Sequence, residues 1–149
     1  MEAEGEQRMR EIKFRVWDEN ARTMWSDKDL INGRAKYDHI FGCPGLVPLQ
    51  YTGLKDKNGV EIYEGDICEI PRYIMGREVE RLRREVVFND GQFGAFIESY
   101  HFVPLSAYFI PIEKSGRYVP NFGTVYDENE MPVEVVGNIY ETPSLWTRS

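Results

Sequence analysis

Apolar and polar residues alternate with a period of two at several points along this chain, and a helical period is scarce. In "REIKFRVW" (residues 10–17), Ile12, Phe14 and Val16 alternate with Lys13, Arg15 and Trp17, which predicts a strand with both faces partly useful for packing. "WDENARTMW" follows: Asp18 and Asn20 can bond their own backbone and turn the chain, and Trp25 closes the second arm of a hairpin. Between residues 26 and 47 the pattern weakens. Gly33, Gly42, Pro44 and Gly45 leave room only for a short helical turn at Asp27–Ile31 within irregular covering loop.

Strand periodicity returns in "VPLQYTG", turns at "KDKNG" and continues through "VEIYEGD" into the apolar "DICEI". "REVERLRREVVF" (residues 77–88) is ambiguous. Leu82, Val86 and Phe88 make a poor helical stripe, whereas Leu82, Arg84, Val86 and Phe88 fit one strand face. A strand from about Arg83 is the preferred reading, with 77–83 open between helix and strand. Asp90-Gly91 supplies the two positive-φ positions of a tight hairpin turn, and "QFGAFIES" is the returning strand.

Pro104 and Pro111 place "HFVPLSAYFIPI" at a sheet edge, a bulge or a strand end. Residues 113–132 read as loop. A last strand, "VEVVGNIYE", leads to Thr142, which can cap a short helical turn begun by Pro143. "VWDEN" at 16–20 and "VYDEN" at 125–129 use one turn chemistry twice. The sum is a mostly β domain with minor α, its sheets bent or coiled and partly barrel-like so that edges are closed or covered.

Length adds the domain expectation. A chain of 149 residues buries about two thirds of its unfolded surface as one domain. Residues 9–149 are expected to form it, behind a polar flexible tail, residues 1–8. The tail lacks the basic start and apolar centre of a secretory leader. No apolar run approaches the roughly 18 residues of a membrane span, and the two cysteines fit a reducing cytoplasm.

Charge changes the picture of partners. At a net charge of −7, general attraction to phosphate backbones is disfavoured. The best local basic patch is "RYIMGREVERLRR", gathering Arg72, Arg77, Arg81, Arg83 and Arg84, although Glu78, Glu80 and Glu85 dilute it.

Candidate chemistry is sparse. With Gly59 at the sixth position of a calcium loop, the first and twelfth would be Leu54 and Gly65, where carboxylates are required. Asp56 and Asn58-Gly59 therefore read as turn residues. Glu61, Glu64 and Asp66 could supply an acid–base pair if they lined a cleft, yet Gly65 bends the chain and Asp66 suits the bonding of backbone amides at the start of a buried strand. Zinc would have to recruit His39, Cys43, Cys68 and His101, which lack a second close ligand pair. No cofactor or metal is expected. The aromatics exceed what a small core needs, and Tyr is favoured at interfaces. The candidate interaction surface thus comprises Tyr51, Tyr63, Tyr100 and Tyr108 with Arg77, Arg81, Arg83 and Arg84.

Four stretches together, "MREIKFRVWDENARTM" (9–24), "LQYTGLKDKNGVEIYEGDI" (49–67), "EVVFNDGQF" (85–93) and "EVVGNIYETPSL" (134–145), resemble the YopX family of phage and prophage proteins. The resemblance implies a small phage-encoded protein of the bacterial cytoplasm with bent and coiled β-sheets, and it transfers no reaction and no catalytic residue. The expected function is a non-enzymatic accessory protein that binds a host or phage protein and self-associates. A nucleic-acid module, or a mimic acting on host DNA- or RNA-handling proteins, is the first alternative. An enzyme built on Glu61, Glu64 and Asp66 is the second.

Overall fold

The computed structural model describes residues 11–33, 40–98, 101–108, 117–119, 123–125 and 132–145; the expected tail, residues 1–8, and the second "DEN" string lie outside them. The fold is mostly β with little helix, and one sheet is strongly curled into half-barrel form. The chain divides into two compact units, Met1–Gly53 and Leu54–Ser149.

In the first unit β1 (Phe14–Asp18) and β2 (Thr23–Trp25) form the expected hairpin, with Val16 opposite Trp25 and Asp18 opposite Thr23. One Asp18 carboxylate oxygen accepts the amides of Asn20 and Ala21, each at 3.0 Å. The Ala21 amide, helped by the Trp25 indole and the Asn20 amide, holds this carboxyl below its ordinary range. Helix α1 (Asp27–Ile31) begins at a capping box. The Ser26 hydroxyl accepts from the Asp29 amide, while the Asp29 carboxylate accepts from the Ser26 amide. β3 (Leu46–Lys55) runs antiparallel to β1 with Phe14 opposite Gln50, and Val16, Leu30 and Ile40 are buried at the centre of this unit.

The second unit begins in the last residues of β3, with which β4 (Glu61–Tyr63) pairs. Asp56 builds the intervening turn. It accepts the amides of Asn58 and Val60 at 2.8 and 2.9 Å, and its other oxygen takes the Val135 amide at 2.9 Å. β5 (Asp66–Ile74) lies between β6 (Arg77–Glu85) and β12 (Glu134–Asn138); β7 (Val87–Asn89), β8 (Gln92–Glu98) and β9 (His101–Pro104) form a meander. Among the described residues β12 pairs only with Asp66–Glu69 and Pro71 has β6 as its one strand neighbour, while β9 ends at Pro104 on the meander's edge.

Two expectations are corrected here. β6 is a strand from Arg77, six residues before the preferred start, because its ladder with β5 runs from Glu85 opposite Ile67 to Arg77 opposite Ile74, interrupted by one bulge at Val79. The segment expected as loop contains a short hairpin, β10 (Arg117–Val119) with β11 (Gly123–Val125).

The core of this unit is built from β5 (Cys68, Ile70, Tyr73), β8 (Ala95, Ile97), Val103 and the 3₁₀ turn Leu105–Tyr108, closed by Ile62, Val86 and Val133. At the end of β12, Gly137 is needed for close approach. A Cβ there would lie 2.1 Å from the Thr142 hydroxyl. That hydroxyl turns back to accept the Asn138 amide at 2.9 Å, so it is the Thr142 carbonyl that accepts the Leu145 amide in the Pro143–Leu145 turn.

Candidate interaction surface

Alternation in "DICEIPRYI" and the Gly that follows Met75 make β5 and β6 a long hairpin. Ile74 stands opposite Arg77, leaving Met75-Gly76 as a two-residue loop with φ of 52° and 81°. Both central residues at positive φ define the mirror-image turn that matches strand twist, a turn favouring Asn or Asp followed by Gly. Met has no side chain able to relieve that conformation by a local hydrogen bond. It is nevertheless there, 96% exposed, flanked by Ile74 and Val79 at 49% each. The bulge at Val79 brings an extra apolar residue to the same end of the ribbon.

Behind this tip the charges pair off. Arg72 meets Glu80 at 2.6 Å, Arg81 meets Glu78 at 3.1 Å and donates to the Pro132 carbonyl at 2.7 Å, and Arg83 reaches Glu69 at 3.8 Å. Two of these pairs, Arg72–Glu80 and Arg83–Glu69, run across β5 and β6 and Arg81–Glu78 lies within β6, which accounts for the dense Arg/Glu sequence, and charge on an outer strand discourages unwanted strand addition. Of the candidate arginines, Arg77 alone has a side chain with no hydrogen bond or ion pair among the described residues.

Arg84 does something different. β8 carries a bulge at Ile97, since Phe96 pairs with Phe102 and Glu98 with His101. The guanidinium donates to the carbonyls of Phe96 and Ile97, both at 3.2 Å, and to that of Arg83 at 2.9 Å. It thereby caps backbone acceptors where the meander's ladder is interrupted and joins β6 to β8. Burial lowers its pKa, opposed by the charge of Glu80. Beside it, Arg84, Glu85, Val87 and Phe96 line a cleft of about 150 Å³. Burial alone raises the Glu85 carboxyl above its ordinary range.

The tyrosines take another place than expected. Tyr51, Tyr63 and Tyr108 are buried. Tyr51 lies under the Lys13 ammonium, 5.0 Å from its ring centre; Tyr63 donates its amide to Asp66 at 2.8 Å; Tyr108 belongs to the core. Tyr100 lies outside the described residues. Among the described residues of the second unit the exposed aromatics are instead Phe88 and Phe96, each in an edge-on pair, with Phe93 and Phe102 respectively.

Asp66 is buried and holds the turn after β4, while Glu61 accepts a long 3.5 Å contact from the Tyr63 hydroxyl. Cys43 is exposed and Cys68 buried, both as free thiols, and His39 lies outside the described residues. Among the described residues no three His, Cys, Asp or Glu side chains are grouped to hold a metal ion, and no helix is long and apolar enough to cross a membrane. The apolar tip escapes sequence reasoning because Met-Gly is a poor turn signal. The available clue is Gly76 between two stretches that both tolerate strand periodicity.

The sequence matches the YopX protein family over residues 13–147. A solved structure, protein EF1440 from Enterococcus faecalis, is similar to this chain at a TM-score of 0.50 and 24% identity, over 92% of this chain and 99% of that one. No curated protein matches the sequence.

Proposed function

The chain belongs to the YopX family, and from that premise we propose that it is a non-enzymatic phage or prophage accessory protein of the bacterial cytoplasm that binds another protein and self-associates. The observation carrying this reading is the hairpin tip. Ile74, Met75 and Val79 are exposed together at the end of a ribbon, around a turn whose conformation disfavours Met. An apolar side chain kept in a strained, fully solvated position is explained by a contact outside the chain, since apolar area at such a tip is stabilising only when another surface covers it. Arg77 beside it, whose side chain has no partner among the described residues, supplies a charge for an acidic rim on the partner.

The intrachain pairing of Arg72, Arg81 and Arg83 and the carbonyl bonds of Arg84 weigh against a phosphate-binding face. Asp66, spent on the Tyr63 amide, weighs against a carboxylate pair working with Glu61 and Glu64.

The test is capture from nuclease-treated host lysate on the tagged full chain, beside a Met75→Asp variant, with light scattering on both. A specific protein retained by the native chain and lost by the variant is the expected result. Recovery only without nuclease transfers the reading to nucleic acid. A strict monomer with no retained protein overturns it.

A further inference from the structure

The cleft at the junction of β6 and β7 offers a second, chemically distinct contact. Its walls are the ring of Phe96, 40% exposed, and the Val87 side chain, with the half-buried Glu85 carboxyl beside them. The Glu85 carboxyl has no hydrogen bond or ion pair among the described residues. The neighbouring cation does not serve it, because Arg84 donates to the backbone carbonyls of Arg83, Phe96 and Ile97. Half-buried and still reached by solvent, the Glu85 carboxylate stands beside an exposed aromatic ring, an anionic acceptor next to a π face.

We infer that this cleft receives the guanidinium group of an arginine side chain of a partner protein, with the Glu85 carboxylate as acceptor and the Phe96 ring as the surface on which the planar cation stacks. A guanidinium satisfies both walls at once. Its N–H fork matches a carboxylate, and its weakly hydrated plane lies readily on an aromatic face. Its distal carbon chain would cover Val87. Arg84, in the same lining, repels an incoming cation, so binding requires the Glu85 contact to outweigh that repulsion. The inference rests on the protein-binding reading and names the chemistry of one contact in it.

The experiment titrates the ¹⁵N-labelled full chain with N-acetyl-arginine amide and, separately, with the neutral isostere N-acetyl-citrulline amide. Saturable shifts of the Glu85, Val87 and Phe96 amides are expected with the arginine probe, with a Kd on the order of 10 mM for so small a ligand. The citrulline probe is expected to leave them unmoved. Glu85→Gln, which keeps the shape, and Phe96→Leu, which keeps apolar bulk, each weaken arginine binding by roughly fivefold or more. Equal shifts with citrulline, no shifts at these amides, or undiminished binding in Glu85→Gln overturn the assignment. If they do so while Met75→Asp still abolishes protein capture, the cleft alone is wrong; if the cleft binds arginine and no protein is captured, the reading it rests on fails instead.

Discussion

Two turns of the second unit have the same backbone and different residues. At Asp90-Gly91 the φ angles are 49° and 80°; at Met75-Gly76 they are 52° and 81°. Each is the two-residue loop of an antiparallel hairpin, joining Asn89 to Gln92 in one and Ile74 to Arg77 in the other. Asp tolerates positive φ through its short polar side chain, so the β7–β8 turn agrees with its sequence at every level. Met does not, and the β5–β6 turn breaks a local rule in full solvent. The pair teaches that the second turn is held in shape by the long ladder behind it, leaving its first residue free to be chosen for something other than folding.

The two hairpins are joined by Arg84, so the strongest way to break the comparison is to remove that link. Arg84→Ala leaves the Phe96 and Ile97 carbonyls without their charged donor and is expected to destabilise the protein by about 2 kcal/mol in urea unfolding. Arg83→Ala, which removes only a half-exposed pair with Glu69, should cost under about 0.5 kcal/mol. A reversed order would mean that the charge ladder, not the backbone cap, holds the ribbon.

Gly91→Ala isolates the conformational part of a turn. A Cβ there meets nothing within 4 Å, so the expected loss of about 1 kcal/mol comes from the positive φ alone. A neutral result in thermal unfolding would show that these turns tolerate side chains freely, and would remove the significance of Met75.

Glu85→Gln gives a smaller, pH-dependent change. Burial favours the protonated carboxyl, so its pKa is higher folded than unfolded. The native state then holds the proton more tightly. Its contribution is fully present below the unfolded pKa and is lost as pH rises through the folded value. The melting temperature of Glu85→Gln should therefore match the native chain well below 4.5, the ordinary value, and exceed it at neutral pH. A difference that shrinks as pH rises would mean that the carboxylate has a stabilising partner in the folded chain.

Legibility in the sequence follows the range of the interaction. Asp90-Gly91, the Asp18 turn, the helical turn at Asp27–Ile31 and the role of Asp66 at the head of β5 all rest on bonds within a few residues, and each is readable. The first half of β6 is not. Arg77, Glu78, Val79 and Glu80 are all exposed, so neither face is marked by burial, and the pairing that makes them a strand comes from β5. The same limit governs the site. Tyr51, Tyr63 and Tyr108 have the composition of an interface, but packing places them inside, whereas Phe96 reaches the surface because its meander presents that face outward. The apolar tip hides behind a turn that no propensity rule would write.

The most direct measurement is equilibrium urea unfolding of Met75→Asn beside the native chain. If Met75 is held against the preference of its turn, Asn relieves the positive φ and the midpoint rises by the equivalent of roughly 0.5–1 kcal/mol with an unchanged slope. A midpoint that falls would show that the Met75 side chain stabilises the chain from within, and the case for an outward contact at the tip would be contradicted.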